Sequence, residues 1–138
     1  MRKLNIQLYL VLAIATLLSA CANTTRPGAV GVNRSQFMMV SSAEVERLSA
    51  ASYNDQNQKA KEKNVLVTSG PTLDRLRVIA NRLIPQTKEF RDDTRQWAWR
   101  LTLIDAPILN ATCAPGGKIT FYTGIIEKLN LSDDEIAA

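Results

Sequence analysis

Residues 110–138 read NATCAPGGKITFYTGIIEKLNLSDDEIAA, and this stretch contains most of the patterns that predict the fold. Its segment KITFYT (118–123) is rich in β-branched and aromatic residues, which is typical of a strand. Pro115-Gly116-Gly117 before it predicts a turn, and Gly124 ends the strand. A short helix can follow, formed by Ile125, Ile126 and Leu129.

The last eight residues, LSDDEIAA (131–138), predict the beginning of a helix. Ser132 can accept a hydrogen bond from a backbone N–H of the first turn, and Glu135 can accept one from the N–H of Ser132, which is a capping box. Asp133 and Asp134 place negative charge at the positive end of the helix dipole. These carboxylates could also form a metal or acid–base cluster, but capping explains all of them. No Gly, Pro or cationic last turn follows, so we expect a helix that begins here and continues.

Two helices are predicted further upstream. Ser41–Glu44 has the pattern of a capping box, and Val45, Leu48 and Ser52 fall on one face behind it. The polar run 54–64 either continues this helix on the surface or frays. Pro71 then opens a second helix, which Pro85 ends. Its apolar residues at helical spacing are Leu73, Leu76, Ala80 and Leu83.

The segment QWAWRLTLID (96–105) changes to a period of two, which predicts a strand with one face suited to a core. A loop with Pro107 and Asn110 connects it to the turn before residue 118. The predicted order is therefore helix, helix, strand, strand, helix, helix. This order indicates an α+β fold with a small strand pair and no internal repeat.

The N-terminus has the layout of a secretory signal peptide, with Arg2 and Lys3 before an apolar stretch and small residues. Leu18-Ser19-Ala20-Cys21 resembles the lipobox of bacterial lipoproteins. That resemblance implies signal peptide 1–20, a lipid on Cys21 and anchorage in the bacterial cell envelope; the alternative is an ordinary signal peptide that contains a cysteine. Ala22, where inner-membrane lipoproteins usually have Asp, favours the outer membrane, facing the periplasm. Residues 21–40 are predicted to form a tether, and 41–138 a domain.

Composition excludes several kinds of site. The chain has no histidine, which removes the commonest metal ligand and the usual general base. Removal of the two cations of the targeting segment leaves +2 of the formal charge of +4, too little to indicate nucleic acid as a partner. The arginines near the two Trp therefore indicate a solvated helix face.

Two further patterns have some features of functional sites. PGGKIT (115–120) lacks the full spacing of a phosphate-binding loop. Cys113 could be a nucleophile, but without a histidine to activate it we expect a small buried residue in a turn. If Cys21 carries a lipid, Cys113 has no disulfide partner in this chain.

The stretch 110–138 resembles the segment just before the zinc helix of the M48 family of metallopeptidases. Those enzymes have an Asn-Ala-x-x-x-Pro-Gly-Gly stretch, a strand, a turn led by Thr-Gly, and Leu-Ser/Thr-x-x-Glu-hydrophobic-Ala-Ala. The similarity extends over about residues 69–138 and is most specific after Asn110. The residues that match are Asn110, Ala111, Pro115, Gly116, Gly117, Thr123, Gly124, Leu131, Glu135 and Ala137.

The resemblance implies a membrane-anchored zinc metalloendopeptidase that acts on envelope proteins. In the family, H-E-x-x-H would follow and supply two zinc ligands and the general base, with a further Glu downstream. None of these is among the 138 residues. We therefore expect an N-terminal fragment of a longer protease, with no catalytic or metal residue of its own and no ability to bind zinc alone.

The resemblance also implies a place for substrate. In related zinc proteases an edge strand beside the zinc helix pairs with the extended backbone of a peptide or unfolded protein. Lys118–Thr123 is expected to be that strand. The candidate cleft residues are Asn110, Gly116, Gly117, Lys118, Ile119, Thr120 and Phe121, although a tight turn alone explains the two glycines. The alternative function is a non-catalytic envelope lipoprotein that binds a partner through this edge.

Overall fold

A computed structural model describes residues 40–138. The predicted signal peptide, Cys21 and all of the tether before Val40 lie outside the described residues. Residues Ala43–Ala138 form one compact unit of helices and a four-stranded sheet, so the predicted α+β class is confirmed, with four strands in place of two. No helix within 40–138 has both the length and the apolar character needed to cross a membrane.

The elements follow one another along the chain without a repeat. They are α1 (Ser42–Glu62), β1 (Leu66–Val67), α2 (Pro71–Leu83), two 3-10 helices (Ile84–Glu89 and Asp92–Gln96), β2 (Arg100–Ile104), β3 (Ala111–Ala114), β4 (Lys118–Tyr122), α3 (Thr123–Leu129) and α4 (Asp133–Ala137).

The sheet has the strand order β1–β2–β4–β3. β4 is parallel to β2, with Leu103 opposite Phe121, and antiparallel to β3, with Cys113 opposite Ile119. The expectation that Lys118–Thr123 is an edge strand is therefore wrong, because both sides of β4 are paired. β3 is the terminal strand on that side of the sheet.

The two faces of the sheet differ in chemistry. Because side chains alternate along a strand, Leu101, Leu103, Ile119 and Phe121 share one face, which we call the groove face. The core lies on this face and includes Leu73, Leu76, Leu103 and Ile126. Thr102 and Thr120 point to the opposite face, the α1 face, where they hydrogen bond to Tyr53 and Gln56.

Helix α1 continues through the polar run to Glu62, so the first of the two predicted outcomes is confirmed. Its buried residues are Tyr53 and Ala60. The predicted apolar face is wrong, since Leu48 is 52% exposed. The reason is that α1 packs on the sheet partly through hydrogen-bonding side chains, which a search for apolar periodicity does not detect.

Helix α2 begins at Pro71 as predicted and ends at Leu83. Proline has no N–H to lose at the first helical position, which favours this start. The chain continues as a 3-10 helix that contains Pro85. The buried residues of α2 are Leu73, Leu76 and Ile79.

Strand β2 is shorter than the predicted strand 96–105, since it begins only at Arg100. The rings of Trp97 and Trp99 lie before it, with centroids 5.4 Å apart. The Trp99 Nε1–H donates to the carbonyl oxygen of Thr94 at 3.0 Å, and the Arg91 guanidinium lies 5.1 Å from the Trp97 ring centroid. These local contacts hold the two indoles next to a 3-10 helix and outside the strand ladder.

Candidate functional site

The turn between β3 and β4 requires glycine. Gly116 and Gly117 have φ angles of +77° and +73°, which L side chains rarely adopt. A Cβ on Gly117 would lie 2.6 Å from ring atoms of Trp99, whereas one on Gly116 would lie 3.5 Å from Cγ of Glu46. Both glycines are buried by these neighbours, so they shape the turn and lie beneath protein atoms.

Lys118, a predicted cleft residue, is directed into the protein. It is 7% exposed. Its Nζ donates to the carbonyl oxygens of Ala98 at 2.7 Å and Gly116 at 2.6 Å. A buried ammonium needs such acceptors, and here they join the turn to the segment before β2.

The remaining predicted cleft residues divide between the two faces of the sheet. Asn110 is exposed and directly precedes β3. Ile119 and Phe121 lie together on the groove face. Thr120 is buried on the α1 face, and its hydroxyl donates to Oε1 of Gln56 at 3.3 Å.

Strand β3 is the free edge on this side of the sheet. Ala111 and Cys113 are opposite Phe121 and Ile119, so both share the groove face, while Thr112 shares the α1 face. Along an antiparallel strand, alternate residues direct N–H and C=O away from the paired neighbour. Within residues 40–138 no further strand covers that side of β3.

A groove with a volume of about 490 Å³ lies on the groove face. Ile119 and Phe121 belong to its lining, together with Ala111 and Cys113 of the free edge. Leu83 of α2 and Ile136 and Ala137 of α4 also line it. The groove thus brings together the free edge strand, the end of α2 and the helix that follows Ser132.

The predicted capping box at the start of α4 is confirmed. The Ser132 N–H donates to Glu135 Oε2 at 2.8 Å, and the Glu135 N–H donates to Ser132 Oγ at 3.3 Å. The hydrogen bond from the Ser132 backbone lowers the pKa of Glu135, and a second one from its hydroxyl adds to this. Glu135 therefore stays ionised near neutral pH at the rim of the groove.

Arg75 fixes α4 to α2, a contact that the sequence analysis missed. Its Nε donates to Asp133 Oδ1 at 2.6 Å, and its Nη2 donates to the carbonyl oxygen of Leu131 at 2.7 Å. Asp133 is thus an ion-pair partner in addition to its effect on the helix dipole. Helical spacing indicates that Arg75 points away from the leucines of α2. It does not identify a partner that lies 58 residues further along the chain.

Cys113 is not a buried turn residue as expected. It lies in β3 and is exposed as a free thiol. Partial burial raises its pKa. The thiol is therefore predominantly protonated at neutral pH and is a weak nucleophile.

The carboxylates of the described part do not converge on a common point. Within residues 40–138, no group of three or more His, Cys, Asp or Glu side chains is arranged to hold a metal ion. In α4, Asp133 faces Arg75 and Glu135 faces Ser132. Their arrangement agrees with the capping interpretation.

Comparisons with known proteins give no family for this chain. No protein-family model, no curated protein and no solved structure matches it significantly.

Proposed function

We propose that this chain is part of a membrane-anchored zinc metalloendopeptidase similar to the M48 family, and that its β3 edge and groove hold an extended peptide substrate. The proposal depends on the motif residues of 110–138 and on one structural observation. The free strand β3 and the capped helix α4 line the same groove. A protease that carries its metal on a helix needs its substrate strand beside that helix, which is the arrangement of β3 and α4.

Because β4 is an internal strand, we place the substrate on β3. Strand addition needs unpaired N–H and C=O groups, and β4 has none to offer because it pairs with β2 and β3. Ala111–Ala114 of β3 takes that role in the proposal. Ile119 and Phe121 remain as apolar floor beneath the peptide, while Gly117 and Lys118 hold the turn.

The residues of this chain do not fit a zinc ion. There is no histidine in the sequence. Of the acidic side chains of α4, Asp133 already faces Arg75 and Glu135 faces Ser132. These residues therefore supply no hydrolytic step, and we place the ligands in an H-E-x-x-H that the family would have after α4.

The DNA that follows codon 138 tests the proposal. We expect an H-E-x-x-H within a few codons, in frame or after a frameshift, on the face of α4 that lines the groove. A downstream sequence without that motif in any frame would refute the protease assignment.

A second candidate is a non-catalytic envelope lipoprotein that binds a partner through the same edge, and the free backbone of β3 favours it. Zinc titration of the purified chain and of a longer form distinguishes the metalloendopeptidase from the binding lipoprotein. We expect the 138 residues to bind zinc negligibly and to leave casein intact. A longer form should gain both properties if it is the protease, and neither if it is the binder.

A further inference from the structure

The register of β3 determines which side chains of an added strand would enter the groove. Ala111 and Cys113 share the groove face, and Thr112 between them shares the α1 face. In a sheet, a residue directly opposite another points to the same face. Peptide residues opposite Ala111 and Cys113 would therefore point toward the groove, and the residue between them would point away.

The space next to these two positions is apolar and open. Ala111 and Cys113 are small, so they leave room beside Ile119 and Phe121 on the floor. Leu83, at the end of α2, lines the same groove and is 41% exposed. An apolar side chain of a bound peptide would cover these atoms and remove them from water.

A negative charge in the groove lining disfavours acidic side chains of a bound peptide. Glu135 lines the groove, and its Oε2 already accepts hydrogen bonds from the N–H and the hydroxyl of Ser132. As a carboxylate it repels a second carboxylate. An acidic side chain that entered the groove would also lose hydration without gaining a cationic partner, because the described lining contains no Lys or Arg.

We propose that the β3 edge and groove select extended peptides with apolar side chains at every second position and no acidic side chain at those positions. This inference rests on the proposed function, because it needs strand addition to β3. The ligand class is an amphipathic strand segment of an unfolded protein. A segment with helical spacing of its apolar residues cannot satisfy the same site, since in the extended form they point to both faces.

Binding of short labelled peptides tests the inference. The full chain is reconstituted in lipid nanodiscs, and empty discs give the blank. The first peptide, of about seven residues, has leucine at its second, fourth and sixth positions and Lys, Thr and Ser at the others. The second has the same composition with leucines at i, i+3 and i+4, and the third replaces the alternating leucines by glutamate.

We expect the alternating peptide to bind at least about tenfold more tightly than either of the other two. Leu83→Gln should reduce this preference to about threefold or less. Val78→Gln is the matched control, because Val78 lies on the same helix, is 58% exposed and does not line the groove. It should leave the preference unchanged.

N-methylation of the peptide backbone separates the inference from the proposed function. Methyl groups on one set of alternate nitrogens should abolish binding, and methyl groups on the other set should leave it within about threefold. If methylation discriminates in this way but all three side-chain patterns bind equally, the selectivity is refuted and strand addition stands. If neither set of methyl groups matters, or no peptide binds, strand addition to β3 is refuted and the selectivity with it.

Discussion

The two faces of the sheet are covered by different interactions. On the α1 face, hydroxyl and amide groups join the helix to the strands, as in the 2.6 Å contact between Tyr53 Oη and Thr102 Oγ1. On the groove face, Leu76 and Leu103 are almost completely buried, yet the same face opens into the groove beside β3. One face is closed by directional bonds, and the other combines a small core with accessible apolar surface.

This difference shows where a ligand can bind at low cost. Entry on the α1 face would break buried hydrogen bonds, each of which leaves an unsatisfied group. Entry into the groove mainly removes apolar atoms from water, which favours binding. The proposed peptide site lies on the face whose accessible surface is mostly apolar.

The largest expected effect is on the core of the groove face. Leu76→Ala should lower the free energy of unfolding by about 3 kcal/mol, because it removes buried methyl groups and leaves a cavity. Urea denaturation followed by circular dichroism measures this. Val78→Ala, on the exposed side of the same helix, should change stability by less than about 0.5 kcal/mol. Similar losses for the two variants would mean that Leu76 is not in a core.

The α1 face should respond to the loss of one hydroxyl. Tyr53→Phe leaves the buried Thr102 hydroxyl without its partner and should cost about 1.5 kcal/mol in the same denaturation experiment. Tyr122→Phe is the matched control; its hydroxyl accepts from Gln56 Nε2 at 2.7 Å at a half-buried site. We expect about 0.5 kcal/mol there, since water can replace the lost contact. If Tyr53→Phe left the free energy of unfolding unchanged, the hydrogen bond to Thr102 would not help to hold α1 on this face.

The cap of α4 at the groove rim should act locally. Ser132→Ala removes the acceptor for the Glu135 N–H and should destabilise α4 by about 1 kcal/mol. Amide hydrogen exchange in α4 measures this. Ser52→Ala, on the exposed surface of α1, should leave exchange in α4 unchanged. Unchanged exchange in Ser132→Ala would show that the cap does not hold α4.

The stability that this cap gives to α4 should depend on pH. The pKa of Glu135 is lowered in the folded state by the Ser132 hydrogen bonds. The contribution of Glu135 to the free energy of unfolding is therefore complete above the unfolded pKa of about 4.3. It is lost as pH falls through the lower pKa of the folded state. Backbone NMR shifts of α4 between neutral and acidic pH measure this loss. Glu135→Gln does not titrate, so a pH response in that variant would assign the change to another group.

The thiol at the free edge should react slowly. Because partial burial raises the pKa of Cys113, the thiolate fraction at pH 8 is lower than that of an ordinary cysteine. In a Cys21→Ala chain, alkylation by iodoacetamide should be slower than in free cysteine, and urea should restore the ordinary rate. A native rate equal to the unfolded rate would indicate that the groove does not shield the thiol.

Local patterns predicted local elements. The period of α2, the Pro71 start, the KITFYT strand and the Ser132 cap each depend on residues a few positions apart, and the structure contains all of them. These signals arise from backbone propensity and side-chain capping, which neighbouring residues determine. The α+β class followed from the same elements.

Strand order was not predictable in this way. Ala111–Ala114 is short and lacks a clear alternation, so its pattern predicts a loop, and β1 has only two residues. Without β3, the pattern predicts Lys118–Thr123 as an edge strand, whereas the structure pairs β4 on both sides. Pairing over long sequence separations, such as Arg75 with Asp133, depends on tertiary packing that the spacing of residues does not encode.

The burial of Lys118 has a consequence for chemical labelling. Its ammonium group is held by two carbonyl oxygens beneath the glycine turn, so an amine-reactive reagent should modify it later than the exposed lysines. Label on Lys118 would then report that the hairpin carrying the terminal strand has opened. The protein thus contains its own probe of whether the proposed docking strand is in place.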